Sequence, residues 1–102
     1  MTRDDIAAHC HKYKYSYAYE VYWAAHRTCE VDTCNLWSSP PHHIRTQGAG
    51  GDDDPANLLA LCTGHHTGPM GIHPVGVVTF GERHPELADK LRTARERPRV
   101  SA

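Results

Sequence analysis

Cys29-x4-Cys34 and Cys62-x2-His65 are two short pairs of metal-ligating side chains, separated by residues 35–61. A tetrahedral metal commonly takes two ligands from each of two such loops, so this spacing ties the regions around residues 29 and 65 together before any other element is considered. In a chain of 102 residues rich in Gly, Pro, His and polar side chains, the apolar core is modest, and a metal staple supplies stability that the core does not. Zinc ligation by a small module contributes on the order of 10 kcal/mol of apparent folding free energy. The pattern predicts one structural Zn2+ on Cys29, Cys34, Cys62 and His65. Because His66 follows directly, a shift of the second pair by one residue is the open alternative. Cys10, in His9-Cys10-His11, is left over. Adjacent residues point apart in regular structure and chelate one ion poorly, so Cys10 reads as an incidental surface thiol.

The cysteines do not read as a disulfide framework. The opening residues Met1-Thr-Arg-Asp-Asp5 are charged and carry no hydrophobic leader. Cysteines spaced as metal ligands in such a chain predict a reducing, cytoplasmic setting. No apolar run approaches the roughly 18 residues needed to cross a bilayer. The formal net charge is -1, which argues against a globally basic nucleic-acid binder, so any attraction to a polyanion must be local. The best local candidate is the C-terminal series Lys90, Arg92, Arg95, Arg97 and Arg99. A solvated helix face and tail accounts for it equally well.

Composition divides this single domain into a lead-in (1–28), a ligand-bearing core (29–80) and a C-terminal helix with a basic tail (81–102). In the lead-in, Tyr13, Tyr15, Tyr17, Tyr19, Val21 and Trp23 alternate as in a strand, while Tyr15, Tyr19, Tyr22 and Trp23 also share one helical face. The tyrosines read as packing groups rather than base-stacking platforms. Ser38-Ser-Pro-Pro41 is an extended connector. Short strands are expected over 42–46 and 58–61, and a further one over 75–80. Gly48 to Pro55 is a loop, in which turn chemistry accounts for Asp52, Asp53 and Asp54 without a metal. Thr63-Gly-His-His-Thr-Gly-Pro69 is a second knuckle or a short helical turn. A helix is expected over about 85–97, with proline in its first turn, arginines at its C-terminal end, and Leu87, Leu91 and Ala94 as its apolar stripe.

Between the two ligand pairs stand His42-His43-Ile44 and Asn57, and His66 follows the second pair. The order His43…Asn57…His66, set within a zinc knuckle over residues 29–73, resembles the HNH endonuclease family. The resemblance implies an α+β fold: a small ββα-metal (HNH, His-Me finger) domain stapled by one structural zinc, with flanking helices. It favours a helix over about 16–27, because the family usually enters its first knuckle from one. It assigns His65 to zinc, where the family commonly has cysteine, and His66 to the catalytic site. A histidine pair on a strand sends one ring to each face. The resemblance makes His43 the general base, His42 and His66 ligands of a catalytic divalent ion (Mg2+, Mn2+, Zn2+ or Ni2+), and Asn57 the residue that orients the base across the loop and fixes its tautomer. His73 is a further candidate ligand. It lies beyond Gly68, Pro69 and Gly71, so it reaches the site only if the chain folds back. Arg45 is a candidate phosphate clamp.

The implied activity is metal-dependent hydrolysis of DNA phosphodiester bonds. Small proteins of this type resemble those of tailed phages, some acting beside a genome-packaging motor, so DNA and a larger terminase-like protein are the implied partners, with no membrane. The rival reading is a zinc-stapled DNA-binding or scaffold module without turnover. A near-neutral charge and the lack of a recognition helix argue against strong autonomous DNA binding.

Overall fold

Leu58, Leu59, Ala60 and Leu61 are all fully buried, and because the segment is extended its alternate side chains face opposite ways. Leu58 and Ala60 join Ile6, Cys10, Tyr19, Tyr22 and Trp23 in one apolar cluster. Leu59 and Leu61 join Ile44, Ile72, Phe80, Leu87, Leu91 and Ala94 in another. The computed structural model describes residues 1–97. Arg99, the last of the basic C-terminal positions, lies outside them.

The first cluster is built by α1 (Arg3–Tyr13) and α2 (Tyr17–Ala25). Thr2 and Asp5 form a capping box at the start of α1, and Lys14 closes it in the left-handed conformation at φ 59°. Ser16 caps α2 by accepting from the Tyr19 N–H at 3.1 Å. Helical spacing, not alternation, decides the tyrosine segment: Tyr19, Tyr22 and Trp23 are buried, while Tyr17 and Val21 are exposed. Helix α1 was not anticipated, although its Thr2-x-x-Asp5 box was there to be read. Cys10 is not a surface thiol. It is 1% exposed, on the buried side of α1 beside Ile6.

Strands β1 (His42–His43) and β2 (Leu58–Leu59) pair antiparallel, His42 opposite Leu59 and His43 opposite Leu58. Both are shorter than expected because the segment after β2 changes partner. The Glu30 N–H donates to the Ala60 carbonyl at 2.8 Å, and the Ser39 N–H to the Leu61 carbonyl at 2.8 Å. The chain then forms α3 (Thr63–Thr67), α4 (Ile72–Val75) and α5 (Val77–Arg83). The strand expected over 75–80 is therefore helical. Phe80 and Gly81 are buried and Val77 is packed against the same cluster, at spacings of three and four, while Val78 is exposed. Gly76, at φ 87°, makes the corner between α4 and α5. After a 3-10 turn (Pro85–Leu87), α6 (Ala88–Glu96) presents Leu91 and Ala94 to the core. Among the described residues no helix is long and apolar enough to cross a membrane.

A polar bolt joins α2, the first cysteine loop and α6. The Tyr22 hydroxyl donates to Glu30 Oε2 at 2.5 Å, and Lys90 Nζ donates to the Tyr22 hydroxyl at 2.6 Å. Glu30 Oε2 also accepts from the Ala60 N–H at 2.7 Å. Burial lowers the Lys90 pKa and Glu30 partly restores it. Lys90 is thus committed to Glu30, Arg92 to Asp89 at 3.0 Å, and Arg97 to Asp52 at 3.5 Å and Asp54 at 3.8 Å. Much of the basic C-terminal series is paired within the chain. Glu30→Ala leaves a half-buried lysine and the Ala60 N–H without their partner. It should cost about 2 kcal/mol, read as a lower urea midpoint at unchanged slope.

Candidate functional site

The two cysteine pairs are brought together by the first loop (Cys29–Cys34) and by the start of α3. Cys62 is the N-cap of α3, and its sulfur accepts from the His65 N–H at 3.4 Å. The ligand atoms of Cys29, Cys34, Cys62 and His65 all lie within 4.8 Å of one another. Cys34 and Cys62 sulfurs are 3.8 Å apart, and His65 Nδ1 lies 3.4 Å from the Cys29 sulfur and 3.2 Å from that of Cys62. A disulfide requires about 2.05 Å, so these are free thiols grouped closely around His65. They can hold a metal ion. Burial pushes the Cys29 thiol up to about 12, and a cation at the centre would reverse that penalty. Burial also raises Cys62, but the His65 N–H and the neighbouring thiols outweigh it, and its pKa is lowered.

His42, His66 and His73 form a second cluster, again with ligand atoms within 4.8 Å. His42 comes from β1, His66 from α3 and His73 from α4. The chain does fold back: Gly68 to Gly71 make a tight turn that places His73 Nε2 3.0 Å from His66 Nε2. This turn has no room for side chains. A Cβ on Gly71 would lie 2.7 Å from the His66 carbonyl oxygen, and one on Gly68 2.5 Å from that of Gly64. Ser39 sets the His66 tautomer. Its hydroxyl donates to the Leu61 carbonyl at 2.9 Å, so at 3.0 Å it accepts from His66 Nδ1 and leaves Nε2 with its lone pair. Burial, then the neighbouring His66, His73 and His43, drive the His42 pKa down to about 3. Burial and His73 lower that of His66 as well. A neutral imidazole offers its lone pair to a metal, so the three rings are grouped closely enough to hold an ion. His65 and His66 therefore sit in different clusters.

His43 is not part of this group. Its Nε2 lies 2.6 Å from Asp53 Oδ1. Burial raises the Asp53 carboxyl, but hydrogen bonds from Ser16 and His43 and the histidine charge outweigh it, and its pKa is lowered. Asp53, explained from sequence by turn chemistry alone, is the site residue that reading missed. Its position in the loop between His43 and Asn57 was the available signal. Asn57 is buried and does bond across the loop, but to backbone. It accepts from the Arg45 N–H at 2.8 Å and donates to the carbonyls of Arg45 at 3.0 Å and Asp52 at 2.8 Å. It holds the loop, while the contact on the His43 ring is made by Asp53. Arg45 is not beside the histidines. Its guanidinium donates to the Arg95 carbonyl at the end of α6, outside the cleft. That cleft, about 470 Å³, is lined by His42, His43, His66 and His73, with Tyr15 and Tyr19 at one wall.

No family model, curated protein or solved structure compared with this chain matches it.

Two outcomes check this geometry. Cys34→Ser or Cys62→Ser should release tightly held metal and unfold the chain, whereas His65→Cys should keep both metal and melting temperature. His66→Ala should leave the tightly held metal in place, as read by elemental analysis and calorimetry. The low pKa of His42 sets a pH dependence. Unfolded, it binds a proton near 6.5; folded, only near 3. The unfolded chain takes the proton first, so stability is lost as pH falls from about 6.5 towards about 3. The unfolding free energy should drop with acid over that window, and with a shallower slope in His42→Gln.

Proposed function

We propose that this chain is a metal-dependent endonuclease of the HNH type, hydrolysing DNA phosphodiester bonds. One observation carries the reading. Adjacent residues His42 and His43 turn to different constellations across one cleft: His42 to His66 and His73, with ring centroids 5.2 Å and 4.9 Å away, and His43 to a carboxylate. Ligand and base are thereby set side by side without competing for one ion.

The donor set of the first cluster fits zinc. With Zn–S near 2.3 Å and Zn–N near 2.0–2.1 Å, tetrahedral ligand atoms lie about 3.5–3.8 Å apart; the observed separations are 3.8 Å for Cys34–Cys62 and a little shorter, 3.4 Å and 3.2 Å, from His65 to Cys29 and Cys62. The three-histidine cluster suits a divalent ion, with imidazole favouring Zn2+ or Ni2+ over Mg2+ or Mn2+. A divalent ion bound there neutralises charge on a scissile phosphate. The chain's residues do the rest. His42, His66 and His73 would hold that ion, and His43, at the same cleft, takes the proton of the attacking water. Because Lys90, Arg92 and Arg97 are already paired, the chain's own grip on DNA is weak. A DNA-holding partner such as a packaging motor would then raise its rate.

The test is conversion of supercoiled plasmid to the nicked form by the zinc-loaded chain with added divalent ions. His43→Ala should lose about 10²–10⁴ in rate while keeping fold and metal content. Equal rates for parent and variant would remove His43 from the base role. A parent that binds both metals and leaves DNA intact, alone and beside a DNA-holding partner, would favour the scaffold module.

A further inference from the structure

His43 is held from three directions. Its Nε2 meets Asp53 Oδ1 at 2.6 Å, and the other carboxylate oxygen, Oδ2, accepts from Ser16 Oγ at 2.6 Å. The Tyr19 ring lies against the His43 ring, centroids 5.5 Å apart and planes at 23°, and is itself anchored by its hydroxyl donating to the Pro41 carbonyl at 2.6 Å. Asn57 fixes the backbone at Asp52, one residue before Asp53. An ionised carboxylate only accepts, so in this contact the proton is on Nε2 and the lone pair on Nδ1.

We propose that Asp53 is a positioning residue that fixes His43 as the Nε2–H tautomer with Nδ1 as its proton-accepting atom, and that Ser16 ties this pair to the N-terminal helices. The catalytic part of the proposal rests on the nuclease reading; the tautomer does not. In the hydrolytic step, Nδ1 takes one proton from water, and the water oxygen forms its bond to phosphorus as the bond to the leaving oxygen breaks. The leaving oxygen takes a proton from solvent. Asp53 stabilises the imidazolium so formed and keeps its own negative charge, as the orienting carboxylate does in a Ser-His-Asp triad. Ser16, which also caps α2, tethers the second carboxylate oxygen and so makes residues 1–28 part of the site rather than a lead-in to it.

Long-range 15N–1H correlation NMR on the 15N-histidine-labelled, zinc-loaded full chain reads the tautomer directly, and plasmid nicking is followed on the same samples. His43 should be Nε2–H in the parent. Asp53→Asn should give a mixture of tautomers and lose about 10²-fold or more in kcat, with KM changing by less than about threefold. Asp53→Glu should restore the tautomer and about a tenth of the rate or more, and Ser16→Ala should show a loss of about threefold to tenfold. An Nδ1–H tautomer in the parent overturns the proposal. So does Asp53→Asn with the parental tautomer and kcat. If Asp53→Asn does not fold, the parental tautomer and its response to Ser16→Ala decide. A parent that does not nick, alone or beside a DNA-holding partner, but whose His43 tautomer responds to Asp53→Asn, sinks the nuclease reading and leaves the positioning intact.

Discussion

The extended run from Leu58 to Cys62 carries the rest of the structure. Its period of two sends Leu58 and Ala60 under α1 and α2, and Leu59 and Leu61 under α4 to α6, so neither cluster forms without the other's strand. Fully burying three leucines contributes on the order of 5–9 kcal/mol before conformational entropy is charged against it. The same run pairs with β1 at its start, which positions His42 and His43, and ends on Cys62. Its carbonyl at Leu61 accepts from Ser39, which in turn orients His66. One strand thus places residues of both candidate metal clusters and the neighbouring His43.

The ligand pairs were legible because metal geometry demands short loops with fixed spacing. Cys29, Cys34, Cys62 and His65 meet as that spacing requires. His65 and His66 separate because neighbours on a single helical turn point about 100° apart. The strand expected over 75–80 was misread because a short run of Val and Phe has no period of its own. Burial of Phe80 and Gly81 beside Val77 made it helical. Cys10 was misread because its neighbours His9 and His11 look like surface, yet a helix needs only every third or fourth residue to be apolar, and Ile6 with Cys10 suffices. Asp53 and Arg45 could not be placed from sequence. Each lies in or beside an irregular loop, where direction follows from the Asn57 backbone clamp and not from any period.

The electrostatic arrangement also follows from packing. Burial first, and neighbouring imidazoles second, disfavour a proton on His42 and His66, so these two rings keep a lone pair. On the other face of β1, His43 is offered a carboxylate instead. The division costs no extra structure, because strand alternation already separates the two rings.

The turn between α3 and α4 has an evolutionary consequence. The separation of His66 and His73 is set by backbone contacts that exclude any Cβ at Gly68 and Gly71. In a lineage of such chains, a histidine of this cluster could change to a carboxylate, another side chain able to hold a cation, through a single viable substitution. The two glycines have no such neighbours in sequence space, since every other residue collides with a carbonyl. The positions with no side chain would then be the slowest to change, and the histidines they bring together the more negotiable.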